Sequence, residues 1–309
     1  MYISIVGSYG SSNIGDDAFE DVFRYYLPNA TLHFSPIPDT AADTIILGGG
    51  GVLKVKEIYL AGLPSYKKPL VAVGVDTDIN GPNWEIIKSL PFSLIYLRSR
   101  EYAEIASREA PNVKYCPDIT FALKPPTPKP KSSRRLGVIV SYDLIRYGSC
   151  EHLNSAVRNM QDEIFDEVVF IVFCTNKGSK DIEATEKTMA GGNYKVIIPK
   201  STAEALSCLA SMDLVISNRF HGIIFSTIVG TPFLSLANLG KCSLYCEQER
   251  LWANFIEMRE ANDVKIIQRL KYLWEYKDEQ RAKLLEITDR NKCLVDSVFK
   301  GLETLGVRV

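Results

Sequence analysis

The strongest constraint on this chain is the rhythm of its apolar residues. Short apolar runs of four to seven residues alternate with stretches whose apolar positions recur at helical spacing, the signature of parallel βαβ units. In the first half the runs fall at 2–7, 31–35, 44–48, 70–75, 94–98 and 113–116. Behind Asp16 and Asp17, which suit the start of a helix, Phe19, Val22, Phe23 and Tyr26 repeat at helical spacing. The rhythm then stops. LKPPTPKPKSSRR, ending at residue 135, carries four prolines, five basic residues and no acid, a composition that favours an extended, solvated connector.

Past the connector the alternation resumes. Strands are expected at 136–141, 167–173, 194–198, 213–217 and 232–236, with helical segments near 152–164, 180–190, 202–211 and 220–229. From 263 onward Ile266, Leu270, Leu273 and Trp274, and later Leu284, Ile287, Leu294 and Val298, are spaced as charge-rich amphipathic helices that pack across the domains. The pattern predicts an α/β protein: a Rossmann-like doubly wound domain over 1–123, a Pro/basic linker over 124–135, a second such domain over 136–262 and C-terminal helices over 263–309. At 309 residues and 46% hydrophobic, the chain has the apolar content for two cores.

Composition excludes several classes of function. Thirty-six basic against 37 acidic side chains give a formal charge of −1, so no bulk field draws nucleic acid or an anionic membrane, and any anion site must be local. The seven cysteines are odd in number and form no CxxC pair, which disfavours a disulfide scaffold and structural zinc. MYISIVGSYG reads as a buried strand, not a signal peptide, and no run is long enough for a transmembrane segment. The expected compartment is the cytoplasm.

In open parallel sheets, ligands collect past the carboxyl ends of the strands, and four such places stand out. GSYGSSNIGDD, residues 7–17, is a small-residue turn into the first helix, suited to anion binding by backbone amides. It is no Walker A loop, because Asp16-Asp17 stands where Lys and Ser/Thr belong; a capped tight turn is the plain alternative. Gly48-Gly49-Gly50-Gly51 follows an apolar strand, and so flexible a run implies close backbone contact with a ligand or a neighbouring loop. It fails as a dinucleotide fingerprint, since the third glycine would fall on Leu53. Arg98 and Arg100 follow the run ending at Leu97, where an Arg can hold phosphate or carboxylate, or simply pair with a helix acid. The most informative segment is LVISNRFHG, in which Arg219 and His221 follow a buried strand and precede an apolar helix; His221 reads as functional. His33 and His152 read as structural.

Taken together, GSYGSSNIGDDAF, ILGGGGVL, the Arg98 segment followed by Cys116-Pro-Asp118, and ISNRFHGIIFSTIVGTPFLSL with Lys241 beyond it resemble the polysaccharide pyruvyl transferase family over about residues 1–245. The resemblance implies two Rossmann-like domains facing a cleft, as in GT-B glycosyltransferases. It also implies transfer of a pyruvyl group from phosphoenolpyruvate onto two hydroxyls of a glycan sugar, leaving a cyclic ketal. Donor-binding roles then fall to Asn13, Gly49, Gly50, Arg98 or Arg100, Arg219 and Lys241, and catalytic roles to His221 and Asp16. Phosphoenolpyruvate brings a carboxylate and a phosphate for the cations to hold. His221 suits the acid that protonates its methylene carbon, and Asp16 a base or sugar-binding acceptor. The scheme needs neither cofactor nor metal; the partners it implies are phosphoenolpyruvate and a sugar or glycan acceptor, with no nucleic acid. The same architecture also permits a nucleotide-sugar glycosyltransferase or a non-catalytic sugar- or anion-binding protein.

Overall fold

A computed structural model of the chain describes residues 1–53, 57–60, 62–76, 84, 88–127, 132–176 and 178–307. Within the expected linker, residues 128–131 lie outside the described residues. The chain divides into two compact units. Met1–Ser11, Asp16–Leu123 and Arg290–Val309 make the first; Ser12–Gly15 and Lys124–Asp289 make the second. The division falls inside two elements that look continuous in sequence. Four residues of the first glycine-rich turn group with the second unit, and the C-terminal helices are shared, through Asp289 with the second unit and from Arg290 with the first.

The first unit holds a six-stranded sheet in the order β2-β1-β3-β4-β5-β6. Its strands are β1 (Tyr2–Val6), β2 (Thr31–Ser35), β3 (Thr44–Gly50), β4 (Leu70–Val75), β5 (Leu94–Leu97) and β6 (Val113–Tyr115), every pairing parallel. Parallel strands covered on both faces read as continuous apolar runs, and every residue of β3 and β4 is buried. The first helix, Ile14–Tyr26, carries Asp16 and Asp17 in its first turn and Arg24 in its last, matching the helix dipole. Its Phe19 and Phe23 are buried, and they come so close to the end of β3 that a Cβ on Gly48 would stand 2.6 Å from Phe23, and one on Gly49 2.5 Å from Phe19. Two of the four glycines are therefore required by packing against this helix.

The second unit repeats the plan in the order β12-β11-β10-β7-β8-β9, with β7 (Arg135–Ile139), β8 (Glu167–Ile171), β9 (Lys195–Ile197), β10 (Leu214–Ser217), β11 (Phe233–Ala237) and β12 (Phe255–Glu257), again all parallel. One face of this sheet packs Leu136, Val138 and Leu234 against Leu153, Val157 and Met160 of helix Cys150–Glu163 and Ile266, Leu270 and Leu273 of helix Asp263–Glu275. Caps mark where helices begin: Ser99, Ser201 and Asn262 accept the amides of Tyr102, Glu204 and Lys265. The sequence rhythm missed β12. Its three residues are too short to show a period, and it is a strand by virtue of its pairing with β11.

Strand order fixes where a ligand can sit in each unit. The direction of winding reverses between β1 and β3 in the first sheet and between β7 and β10 in the second, and crevices open at the carboxyl side of such reversals. GSYG follows β1 and the glycine run ends β3; Ser141-Tyr142 lies just past β7, and Asn218-Arg219 follows β10.

The last helix, Lys277–Glu303, closes the first unit. Phe299 is fully buried, stacks on Tyr26 with centroids 4.0 Å apart, and meets Phe23 edge-on at 5.8 Å. The Tyr26 hydroxyl donates to Asp296, and burial together with this acid pushes the phenol well above its ordinary range. Phe299→Ala is expected to cost about 3–5 kcal/mol of stability, read by urea unfolding.

Candidate active site

The richest cluster of polar chemistry in the second unit lies at the end of β10. Ser217, Asn218 and Arg219 make the turn from the strand into helix Phe220–Ile228, whose nine residues are all buried. The Ser217 hydroxyl donates to the Arg219 carbonyl at 3.0 Å and accepts its amide at 3.1 Å, pinning the turn. A Cβ on Gly222 would stand 2.2 Å from that hydroxyl oxygen, so a side chain there would displace it.

Arg219 is fixed from a second element. Its Nε donates to Asp181 Oδ2 at 2.8 Å, and its Nη2 donates to Oδ1. Asp181 begins helix Asp181–Thr188 and has no exposed side-chain surface, whereas 24% of the Arg219 side chain is exposed. Burial pushes the Asp181 carboxyl above the usual carboxylate range, with the guanidinium pulling against it. A bidentate pair sets the guanidinium plane.

His221 is buried at 8% exposure, with Phe220 and Phe225 rings centred 5.6 and 5.8 Å from its own. The backbone of Gly15 closes its remaining side: a Cβ there would fall 2.0 Å from Nδ1. Ser12–Gly15 is held in place by the segment that follows β8. Asn13 bridges to Cys174, the Ile14 amide donates to Phe173 O at 3.0 Å, and the Thr175 amide donates to Ser12 O at 2.9 Å. The Asn13 side chain accepts the Gly15 amide at 3.3 Å. The first and fourth motifs of the sequence thus meet, with a glycine where only a glycine fits.

Lys241 opens helix Lys241–Gln248, behind a turn in which Gly240 has φ +145°. Its Nζ lies 5.5 Å from the Phe220 ring centroid, on the ring that also flanks His221. Lys180, with Nζ 4.5 Å from the Tyr142 ring centroid, adds a cation beside the loop after β7.

The first unit distributes its candidates differently. Arg98 is buried and donates through Nε and Nη2 to Asp76 and through Nη1 to Asp118 at 2.9 Å. Burial works against its charge, but the two carboxylates outweigh that and hold it more firmly protonated than usual. Instead of the open donor clamp the sequence suggests, Arg98 is the centre of an ion-pair cluster joining the ends of β4 and β5 to the turn after β6. Arg100 stacks on Tyr115 at 4.9 Å. Gly49 and Gly50 both have positive φ, +74° and +72°, and a Cβ on Gly50 would stand 3.7 Å from Asp16 Oδ1. Neighbouring Asp17 accepts the Gly10 amide at 2.9 Å, and burial raises its carboxyl above the ordinary range. The structure thus brings together Asn13, Arg219, His221 and Lys241 in one unit, and Asp16, Gly49 and Gly50 in the other. The sequence did not single out Asp181, Gly15 or Asp76. Among the described residues no cluster of His, Cys, Asp and Glu could hold a metal ion, and no helix is long and apolar enough to cross a membrane.

The family model for polysaccharide pyruvyl transferase matches residues 2–240, a span that includes these groups up to His221 and ends one residue before Lys241. The chain belongs to the polysaccharide pyruvyl transferase family. No curated protein matches the chain significantly. Solved structures of similar shape include MnaA of S. aureus with UDP (TM-score 0.64, 11% identity, covering 92% of this chain and 90% of that one). The spinosyn rhamnosyltransferase SpnG is also similar (0.61, 12%, 98% and 100%), as is Anabaena Alr3699/HepE with UDP and glucose (0.64, 12%, 99% and 99%). At such identities the likeness is one of fold, and the fold is GT-B-like: two parallel sheets flanked by helices, with further helices at the C-terminus. In this pyruvyl transferase family member the Arg-x-His segment sits at the reversal of the second sheet, held by Asp181 on one side and Gly15 on the other.

Two outcomes follow from that support. Gly15→Ala is expected to displace the imidazole, lowering turnover about 10²-fold and costing about 1–3 kcal/mol of stability; kinetics and calorimetry read the two. Asp181→Ala removes one partner of a largely buried pair and is expected to cost about 3 kcal/mol in chemical denaturation.

Proposed function

We propose that the protein transfers the pyruvyl group of phosphoenolpyruvate onto two hydroxyls of one glycan sugar, forming a cyclic ketal. The observation that carries this reading is the oriented Arg219 beside a buried His221 at the winding reversal of the second sheet, in a chain of this family. Arg219 and Lys241 hold the donor's carboxylate and phosphate. Arg98 acts at one remove, by ordering the strand ends of the first unit.

In the reaction His221 protonates the methylene carbon, which becomes the methyl group, and the adjacent carbon becomes electrophilic. A sugar hydroxyl attacks that carbon, the C–O bond to phosphate breaks, and a second hydroxyl closes the ring. Of the two hydroxyl protons, one replaces the proton His221 gave to carbon and the other leaves with phosphate, so the account balances without oxidant or cofactor. Asp16, next in the chain after Gly15, suits the base that takes a hydroxyl proton. Use of phosphoenolpyruvate implies that the protein works in the cytoplasm.

The test is to offer phosphoenolpyruvate or UDP-sugars with a panel of glycosides, following phosphate release and the mass of the acceptor. Phosphate release with ketal formation is expected. Consumption of a UDP-sugar with phosphoenolpyruvate untouched would overturn the reading in favour of glycosyl transfer. His221→Gln keeps a hydrogen-bonding side chain but cannot deliver the proton; it is expected to lower turnover by about 10²–10⁴ with donor affinity within a few-fold of wild type by calorimetry.

A further inference from the structure

The ends of β10 and β11 carry a second kind of chemistry that the cations do not explain. Both side-chain amide atoms of Asn218, Nδ2 and Oδ1, are buried without a hydrogen-bond partner among the described residues, as are Asn238 Oδ1 and Ser235 Oγ. Buried polar groups are nearly always paired, so a group of orphans calls for a reason. These orphans share one region. β10 and β11 are adjacent parallel strands with Ser217 in register with Ser235, so their ends lie side by side, about 4.8 Å apart. Asn218 follows the first strand and Asn238 the second, on the way to Lys241. Asn218 cannot escape by a shift of its main chain, because its amide donates to Ile139 O at 3.2 Å and Ser217 ties the next residue.

The types of the orphaned atoms restrict the ligand. Two are amide oxygens, which only accept; one is a hydroxyl; and one, Nδ2, donates. Carboxylate and phosphate oxygens of an anionic donor also only accept, so they leave both amide oxygens unmet. Sugar hydroxyls donate and accept. Resting on the function proposed above, we infer that Asn218 and Asn238 form the acceptor-sugar subsite: their amide oxygens receive hydroxyl hydrogens and Asn218 Nδ2 donates to a sugar oxygen, next to the anion held by Arg219 and Lys241. The cost of leaving these atoms unpaired in the free protein is recovered when the sugar binds.

Asn218→Leu and Asn238→Leu remove the orphans while roughly keeping volume, and Asn218→Asp keeps an accepting oxygen. Saturation-transfer NMR titrations with methyl hexopyranosides and N-acetylhexosaminides measure sugar binding without donor, calorimetry measures phosphoenolpyruvate binding, and thermal melts measure the free protein. The expected result is glycoside binding weakened about tenfold or more in both Leu variants. Asn218→Asp should recover part of that loss, phosphoenolpyruvate affinity should stay within twofold, and the melting temperature should be unchanged or raised. Glycoside affinity equal to wild type in the Leu variants would overturn the subsite, as would equal losses for glycoside and phosphoenolpyruvate, a lowered melting temperature that accounts for the loss, or no glycoside binding by wild type. Because the sugar titrations contain no donor, failure of the phosphoenolpyruvate reading shows up separately, as absence of donor consumption.

Discussion

The arrangement at the end of the second sheet depends on one interaction, the pair between Asp181 and Arg219. A carboxylate with no exposed surface is tolerable only beside a fixed cation, and Asp181 has one, in bidentate contact. The constraint runs both ways. Arg219 precedes helix Phe220–Ile228, so holding its side chain also holds the first turn of that helix, and His221 lies on that turn. A lysine in place of Arg219 would keep the charge and lose the plane.

Close approach is the second constraint, and it falls on glycine. His221 has a backbone against it because Gly15 presents no Cβ, and Gly222 lets the Ser217 hydroxyl reach the Arg219 main chain. Gly48 and Gly49 do something different, admitting Phe23 and Phe19 of the first helix against the end of β3. Part of a run that reads as ligand contact is thus explained by helix packing, while Gly50, whose nearest neighbours would be Phe19 and Asp16, is left facing the Asp16 carboxylate.

Much of this was legible in the sequence, for a physical reason. Strands buried on both faces must be apolar throughout, so β3, β4, β7 and β10 stand out as uninterrupted runs. Arg219 and His221 lie immediately past β10, and Lys241 a few residues past the equally apolar β11, where charge is conspicuous. What was hidden depends on residues brought together from distant parts of the chain. Asp181 lies ten residues beyond the end of β8, at the start of a helix, where an acid looks like an ordinary cap. Asn218 looks like a turn residue, and only its burial without a partner distinguishes it. Arg98 was visible as a cation at a strand end, but Asp76 and Asp118 reach it from the ends of other elements, and spacing along the chain cannot reveal that they bind it at all three guanidinium nitrogens.

Arg98 and Arg219 use the same device to different ends, and exposure separates them. With only 5% of its side chain exposed and two carboxylates around it, Arg98 belongs to a cluster of net negative charge, which disfavours a further anion. Arg219 has one carboxylate and 24% exposure, so its outer edge keeps donors for a ligand while Asp181 neutralises its formal charge. What Arg219 contributes is therefore direction more than field. Under the proposed function, attraction for a multiply charged donor then falls to further cations at the same end of the sheet. Lys241 lies over an aromatic ring, and Lys180 lies over another, paired with a Glu183 that stands at 4.0 Å and is 57% exposed. Under the proposed function the site separates two tasks usually given to one arginine: orientation goes to a guanidinium paired with a buried carboxylate, and long-range attraction to ammonium groups, which can follow the charge as phosphate departs.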